Sequence, residues 1–131
     1  MKRLFITGSL LCATIVCHLI LARPADRIVI EPAVKGGFRF GPPELTVWAG
    51  GQIHFCNETG EEHQPGVLND DGAFVAFHAA VLKPGCVSSV FSPMPRINEK
   101  SEKKEQVAFT IHHVCGLHRS EQGTINVLPT P

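Results

Sequence analysis

The chain has 131 residues, enough for one domain with a single core and too few for two. Its 12 basic and 12 acidic residues cancel, so it lacks the charge excess that carries nucleic-acid binding. Neither heptads nor long amphipathic helical stretches occur. Short β-rich runs parted by Gly and Pro predict an all-β, single-domain sandwich or barrel instead.

The N-terminus carries Lys2 and Arg3, an apolar run from Leu4 to Leu21, and Ala22 ahead of Arg23-Pro24-Ala25. This is the layout of a secretory signal peptide over residues 1–22, with a small residue at the cleavage point. The competing reading is an uncleaved anchor, because a membrane-spanning helix needs about 18 to 20 apolar residues. Gly8, Ser9, Thr14 and His18 dilute the run and favour cleavage, and bulky Val16 before Cys17 argues against a lipoprotein. The expected location is therefore periplasmic or secreted, with membrane contact only if the segment is retained.

Cleavage would remove Cys12 and Cys17 and leave Cys56, Cys86 and Cys115 in the mature domain, residues 23–131. In an oxidising compartment two of the three are expected to pair. Cys115 has histidines around it and is the natural free thiolate, so Cys56 and Cys86 are the candidate disulfide, which would add about 2–4 kcal/mol. The other reading, that both are small buried hydrophobes, stays open at this point.

Along the mature chain, Arg27 to Glu31 reads as a strand, Gly36-Gly37 as a turn, and Phe38 to Phe40 as renewed extended structure that Gly41-Pro42-Pro43 stops. Glu44 to Trp48 alternates, with Leu45 and Val47 on one face, and Ala49-Gly50-Gly51 reads as a hairpin turn. Gln52 to Asn57 is the next strand, with Ile53 and Phe55 sharing a face opposite His54 and Cys56. An acidic loop from Glu58 to Glu62 then delivers His63. Phe74 to Phe77 is an apolar piece of either helix or strand, and Leu82-Lys83-Pro84-Gly85 turns into a strand over Cys86 to Phe91. Residues 92–106 shift to Pro, Lys and Glu, which predicts an exposed, solvated insert rather than a docking element. Val107 to Cys115 is a strand with Phe109, Ile111, His113 and Cys115 on one face, and Thr124 to Leu128 closes the sheet.

Chemistry concentrates between His112 and Gly123, where a thiol, imidazoles and two oxygen donors, Glu121 and Gln122, share one short stretch. One thiolate, two imidazoles and a weak fourth donor form the ligand set of a blue-copper electron-transfer site. Cys115 and His118 sit in a loop between strands and can point into one pocket. In a sandwich the loops at one end cluster, which brings His63 within reach as the third ligand. A Cys, two His and a carboxylate would also satisfy tetrahedral zinc. Relative affinity favours copper.

The order Leu45-Thr46-Val47-Trp48-Ala49-Gly50-Gly51-Gln52-Ile53-His54-Phe55-Cys56-Asn57, then His63, then Leu82-Lys83-Pro84-Gly85, then Cys115-x-x-His118 and Gly123, resembles the cupredoxins, in particular the plastocyanin and amicyanin group. The resemblance covers the chain from about Phe40 onward. It implies a Greek-key β-sandwich holding one mononuclear copper near one end and serving as an electron carrier, with His63, Cys115 and His118 as the equatorial ligands. It also implies an axial residue, usually Met. Counting back from Ile125-Asn126-Val127 places Glu121 there, with Gln122 as the alternative after a one-residue slip, and a site with neither bound as a third reading. The remaining histidines have quieter expectations. His113 should face the core or the surroundings of the site, His54 and His112 the opposite faces of their strands, and His78 the surface.

Multicopper enzymes of the wider family place a His directly beside the Cys, whereas Cys115 is flanked by Val114 and Gly116, so the expectation is a carrier and not an enzyme. Electrons would leave through His118 to a redox partner protein that the sequence does not identify. The second functional reading is a copper-binding protein for tolerance, storage or delivery, and the third a sandwich module that has lost its metal.

Overall fold

The computed structural model describes residues 26–85 and 89–131. The expected signal segment and Cys86 lie outside the described residues. Strand propensity and alternation produce eleven strands and no helix in the described residues. They are β1 (Asp26–Pro32), β2 (Phe38–Gly41), β3 (Glu44–Trp48), β4 (Ile53–Asn57), β5 (Pro65–Leu68), β6 (Phe74–Ala76), β7 (Ser89–Phe91), β8 (Arg96–Ile97), β9 (Gln106–Val107), β10 (Phe109–Cys115) and β11 (Gln122–Leu128). The fold is a Greek-key β-sandwich. One sheet has the order β2-β1-β4-β7 and the other β3-β11-β10-β5-β6, with a small separate pair, β8-β9.

The two sheets exist because each strand has one apolar face to bury. Ile28 and Ile30 of β1, Phe40 of β2, and Ile53 and Phe55 of β4 come from one sheet; Val47 of β3, Cys115 of β10, and Ile125 and Val127 of β11 come from the other. All are buried, and Phe40 and Phe55 meet edge to face at 6.1 Å between ring centroids. Alternation fixes the register, since a one-residue slip of β11 would turn Ile125 and Val127 out to solvent.

Two sequence expectations change. Ala49-Gly50-Gly51 is not a hairpin turn. The tight turn is there, with Gly50 at φ 79° and the Gly51 N–H donating to Trp48 O at 2.9 Å. But β3 pairs with β11 and β4 with β1, in opposite sheets. Val47 before the turn and Ile53 after it thus enter the same core from opposite sheets. The charged insert is also more ordered than a plain loop. Arg96 pairs with Val107 and Ile97 with Gln106 in an exposed hairpin, and the Arg96 guanidinium sits 4.4 Å over the Phe109 ring. Phe74 to Ala76 resolves as a strand, pairing with β5.

This scaffold sets up one end of the sandwich. β10 runs out at Cys115, the chain turns over residues 116–121, and β11 returns antiparallel beside it with Val114 opposite Gln122. On the other side of β10, Cys115 lies opposite Pro65 at the start of β5. The loop that carries His63, two residues before Pro65, is therefore held next to the end of β10. Replacing Phe55, fully buried at the centre of the core, with Ala should lower unfolding free energy by about 3–5 kcal/mol. Val34→Ala, at a side chain 95% exposed, should stay within about 0.5 kcal/mol in the same urea titration.

Candidate metal centre

Three segments converge at this end. His63 lies on the loop between β4 and β5 and is tied by a reciprocal backbone bridge to Leu82, His63 N–H to Leu82 O at 3.1 Å and Leu82 N–H to His63 O at 2.7 Å. Cys115 closes β10. His118 and Glu121 come from the turn that follows, which is closed by the Glu121 N–H donating to His118 O at 3.0 Å and the Cys115 N–H donating to Glu121 O at 3.1 Å. The turn is fastened to the His63 loop by the Gly116 N–H, which donates to Gln64 O at 2.8 Å. Gly116 must stay small: a Cβ there would stand 2.6 Å from the Phe74 ring.

His63 Nδ1, Cys115 Sγ, His118 Nδ1 and a Glu121 carboxylate oxygen all lie within 4.8 Å of one another. Cys115 Sγ is 3.7 Å from each Nδ1. Glu121 Oε2 is 3.0 Å from His63 Nδ1 and 3.8 Å from His118 Nδ1. A first-row metal about 2.0 Å from an imidazole nitrogen and about 2.3 Å from a thiolate separates those two donors by roughly 3.5–3.7 Å, so the set fits one metal ion. His63, Cys115 and Glu121 are buried, while the His118 side chain keeps a quarter of its surface. Of the two residues weighed for the fourth position, Glu121 is in the group. Gln122 is exposed on β11 and its amide donates to Arg119 O at 3.5 Å.

The ring nitrogens facing away from the group are also engaged. Thr59 Oγ1 lies 2.8 Å from His63 Nε2, and Glu61 Oε2 lies 3.1 Å from His118 Nε2. Each is an acceptor for an Nε2–H, which leaves both Nδ1 atoms as lone-pair donors into the pocket. Thr59 is held by buried Asn57, whose Oδ1 accepts from both the Thr59 N–H at 2.9 Å and its hydroxyl at 2.8 Å. Phe38 stands edge-on to both imidazoles, at 4.7 Å and 4.9 Å between centroids.

Burial sets the protonation of the group. It pushes the Glu121 carboxyl up to about 7 and the Cys115 thiol above its usual value. Burial, with the nearby His118 adding to it, lowers His63 to about 4. A neutral His63 beside a protonated Glu121 gives the 3.0 Å contact its natural sense, with the carboxyl O–H donating to Nδ1. Below about pH 7, without metal, a proton therefore occupies the space between two of the donors.

Asn57, Thr59 and Glu61 were legible as a strand end and an acidic loop, but not as supports of the site. Their alternate spacing ahead of His63 was the available signal. His113 is buried in the core as expected, ringed by Phe40 at 4.4 Å and Phe55 at 5.6 Å, and burial lowers it to about 4. Neither of its nitrogens has a hydrogen-bond partner among the described residues. His112 and His78 are exposed and His54 is half-buried on the outer face of β4. Cys56 is disulfide-bonded, and Cys115 is a free cysteine.

Among solved structures, the purple cupredoxin from Nitrosopumilus maritimus superposes with a TM-score of 0.58 at 17% identity, over 78% of this chain and 98% of that one. The chain has the cupredoxin fold. An oxidised amicyanin variant superposes with a TM-score of 0.56 at 17% identity, over 83% of this chain and 87% of that one. Amicyanin from Paracoccus versutus gives 0.55 at 16%, over 82% and 85%. No family model and no curated protein matches the sequence. In this cupredoxin fold the donor group occupies the end of the sandwich where β10 gives way to β11.

Binding a divalent metal here must displace the protons of Cys115 and Glu121. A carboxyl raised to about 7 is mostly protonated at about pH 6 and mostly ionised at about pH 8. Wild type should thus release about one proton more than Glu121→Gln on saturation with zinc at about pH 6, and almost none more at about pH 8. Calorimetry in buffers of differing ionisation enthalpy measures the difference.

Proposed function

We propose that this is an exported one-electron carrier holding a single copper through His63, Cys115 and His118, with Glu121 as the axial ligand. The observation that carries the reading is the unpaired thiol of Cys115, buried and set 3.7 Å from each of two inward-facing imidazole nitrogens, in a cupredoxin fold. Amicyanin, which shares the fold, has been solved oxidised and in a reduced Cu(I) form. Copper bound here would supply a one-electron change between Cu(II) and Cu(I).

The chain's own residues suit that role. Cys115 is kept as the soft donor by the Gln64 N–H, which lies 3.4 Å from its sulfur and stabilises the thiolate. His63 and His118 are held from outside by Thr59 and Glu61, so the set would not have to reorganise as charge changes. His118, the partly exposed member, is the edge through which an electron would pass to a partner protein. Val114 and Gly116 beside Cys115 offer no ligand towards a second metal, which fits a carrier better than a catalyst. A carboxylate is a harder donor than the thioether usual in the family, so Glu121 should favour Cu(II), lower the reduction potential and move the colour away from plain blue. The same donor set could hold zinc, but copper binds nitrogen and sulfur donors more tightly.

Adding Cu(II) to the purified domain from residue 23 onward should produce an intense visible thiolate-to-copper absorption, which Cys115→Ser should abolish. Glu121→Met should keep the absorption and raise the reduction potential measured by voltammetry. A wild-type protein without the absorption would refute the carrier. A very low potential combined with slow electron self-exchange would instead favour the second reading, copper tolerance, storage or delivery, which the hard oxygen donor also accommodates.

A further inference from the structure

The outer nitrogen of the partly exposed imidazole is not left to solvent. Glu61 Oε2 sits 3.1 Å from His118 Nε2, although the two residues are 57 positions apart and the Glu61 side chain is 61% exposed. An exposed carboxylate gains little from a single surface contact, because ordering a long side chain offsets it. The backbone of Glu61, however, is already fixed from both sides. Asn57 Nδ2 donates to Glu61 O at 2.7 Å, and the Glu61 N–H donates to Thr59 Oγ1 at 3.1 Å. Asn57 is itself anchored to the body of the protein by a second bond from Nδ2, to Leu82 O at 3.0 Å. The loop is thus ordered before the carboxylate meets the ring, and the same loop presents Thr59 to His63.

We propose that Glu61 is a positioning residue for the metal centre: its carboxylate accepts the His118 Nε2–H and holds the ring with Nδ1 aimed at the donor group, as Thr59 does for His63. The inference rests on the reading of His118 as a ligand. Its physical content is a carboxylate–histidine–metal arrangement, in which the outer carboxylate sets ring orientation and raises the basicity of the inner nitrogen. It acts on the ligand that has least packing to hold it, since His63 is fully buried and His118 is not.

Titration of the mature domain with Co(II), whose thiolate charge-transfer band reports binding at Cys115, tests this without copper. Glu61→Ala should weaken Co(II) affinity about 10–100-fold, the range for losing such a partner. Glu61→Gln should recover most of it, because the amide oxygen still accepts the same bond. Glu62→Ala, which removes a neighbouring exposed carboxylate, should leave affinity within about twofold of wild type. In the copper-loaded protein, Glu61→Gln should raise the reduction potential, a shift that a merely structural role would not cause. Unchanged Co(II) affinity in Glu61→Ala, with binding lost in His118→Ala, would overturn the proposal alone. Unchanged affinity in both would remove His118 as a ligand and the proposal with it. Normal Co(II) results combined with no intense copper absorption would defeat the carrier reading while leaving the role of Glu61 supported.

Discussion

Everything at the candidate centre depends on the fastening of two loops that are remote in sequence. The Gly116 N–H to Gln64 O bond and the Gln64 N–H to Cys115 Sγ contact continue the β10–β5 pairing one step past the end of the strands. They make the loop carrying His63 and the turn carrying His118 and Glu121 parts of one rigid end. If that seam opened, His63 would leave with its loop and three donors would remain. Small residues are what allow the seam: at Gly66 a Cβ would strike Val75 O and the Phe74 ring, and at Gly116 the same ring. Phe74 thus fills the space next to the fastening, and Arg119 covers it from outside at 5.5 Å.

Burying three donors, and part of a fourth, is costly unless their charges are managed. Desolvation drives every shift in the group in the direction of neutrality: the thiol and carboxyl upward, the imidazole downward. Below about pH 7 the buried thiol, carboxyl and His63 imidazole are therefore neutral without metal, and a bound cation takes the place of the acidic protons. That exchange couples metal uptake to pH. It also explains how a fold can place Glu121 in its interior without an Arg or Lys partner among the described residues. One oxygen, Oε2, is shared with His63, and the other, Oε1, has no hydrogen bond among the described residues. The second oxygen is where a carboxylate would differ from a neutral amide at the same place.

The fold class was readable because period-two alternation in Glu44 to Trp48, Gln52 to Asn57 and Phe109 to Cys115 is a local property that tertiary structure did not override. The meeting of His63 with Cys115 and His118 was readable because strand ends in a sandwich share an end, so a distance of 52 residues in sequence costs nothing in space. What was not readable has a common physical cause. Whether Ala49-Gly50-Gly51 folds back within a sheet or crosses between sheets depends on which neighbours β3 and β4 choose, and the same turn chemistry serves both. The insert at 92–106 buries little, so its short hairpin leaves no hydrophobic pattern. The choice between Glu121 and Gln122 turns on one residue of turn geometry. The backbone bonds from Glu121 to His118 and Cys115 fix that geometry, and composition does not report them.

The two imidazoles end in unequal situations, and the inequality follows from where the loop 57–63 starts. Asn57 is the last residue of β4 and is fully buried, so its amide can satisfy Thr59, Glu61 and Leu82 from inside the protein. Residues at odd positions after it then alternate in depth: Thr59 is buried, Glu61 is exposed, and His63 is buried again. The acceptor available to the deep imidazole is consequently a hydroxyl, neutral and cheap to bury. The acceptor available to the shallow one is a carboxylate, which can keep its second oxygen in water. A carboxylate at position 59 would face the desolvation that already raises Glu121, and a hydroxyl at position 61 would be too short to reach across to the turn. Polarity is graded outward along the loop, and the charged partner falls on the imidazole that faces solvent and any protein that docks there.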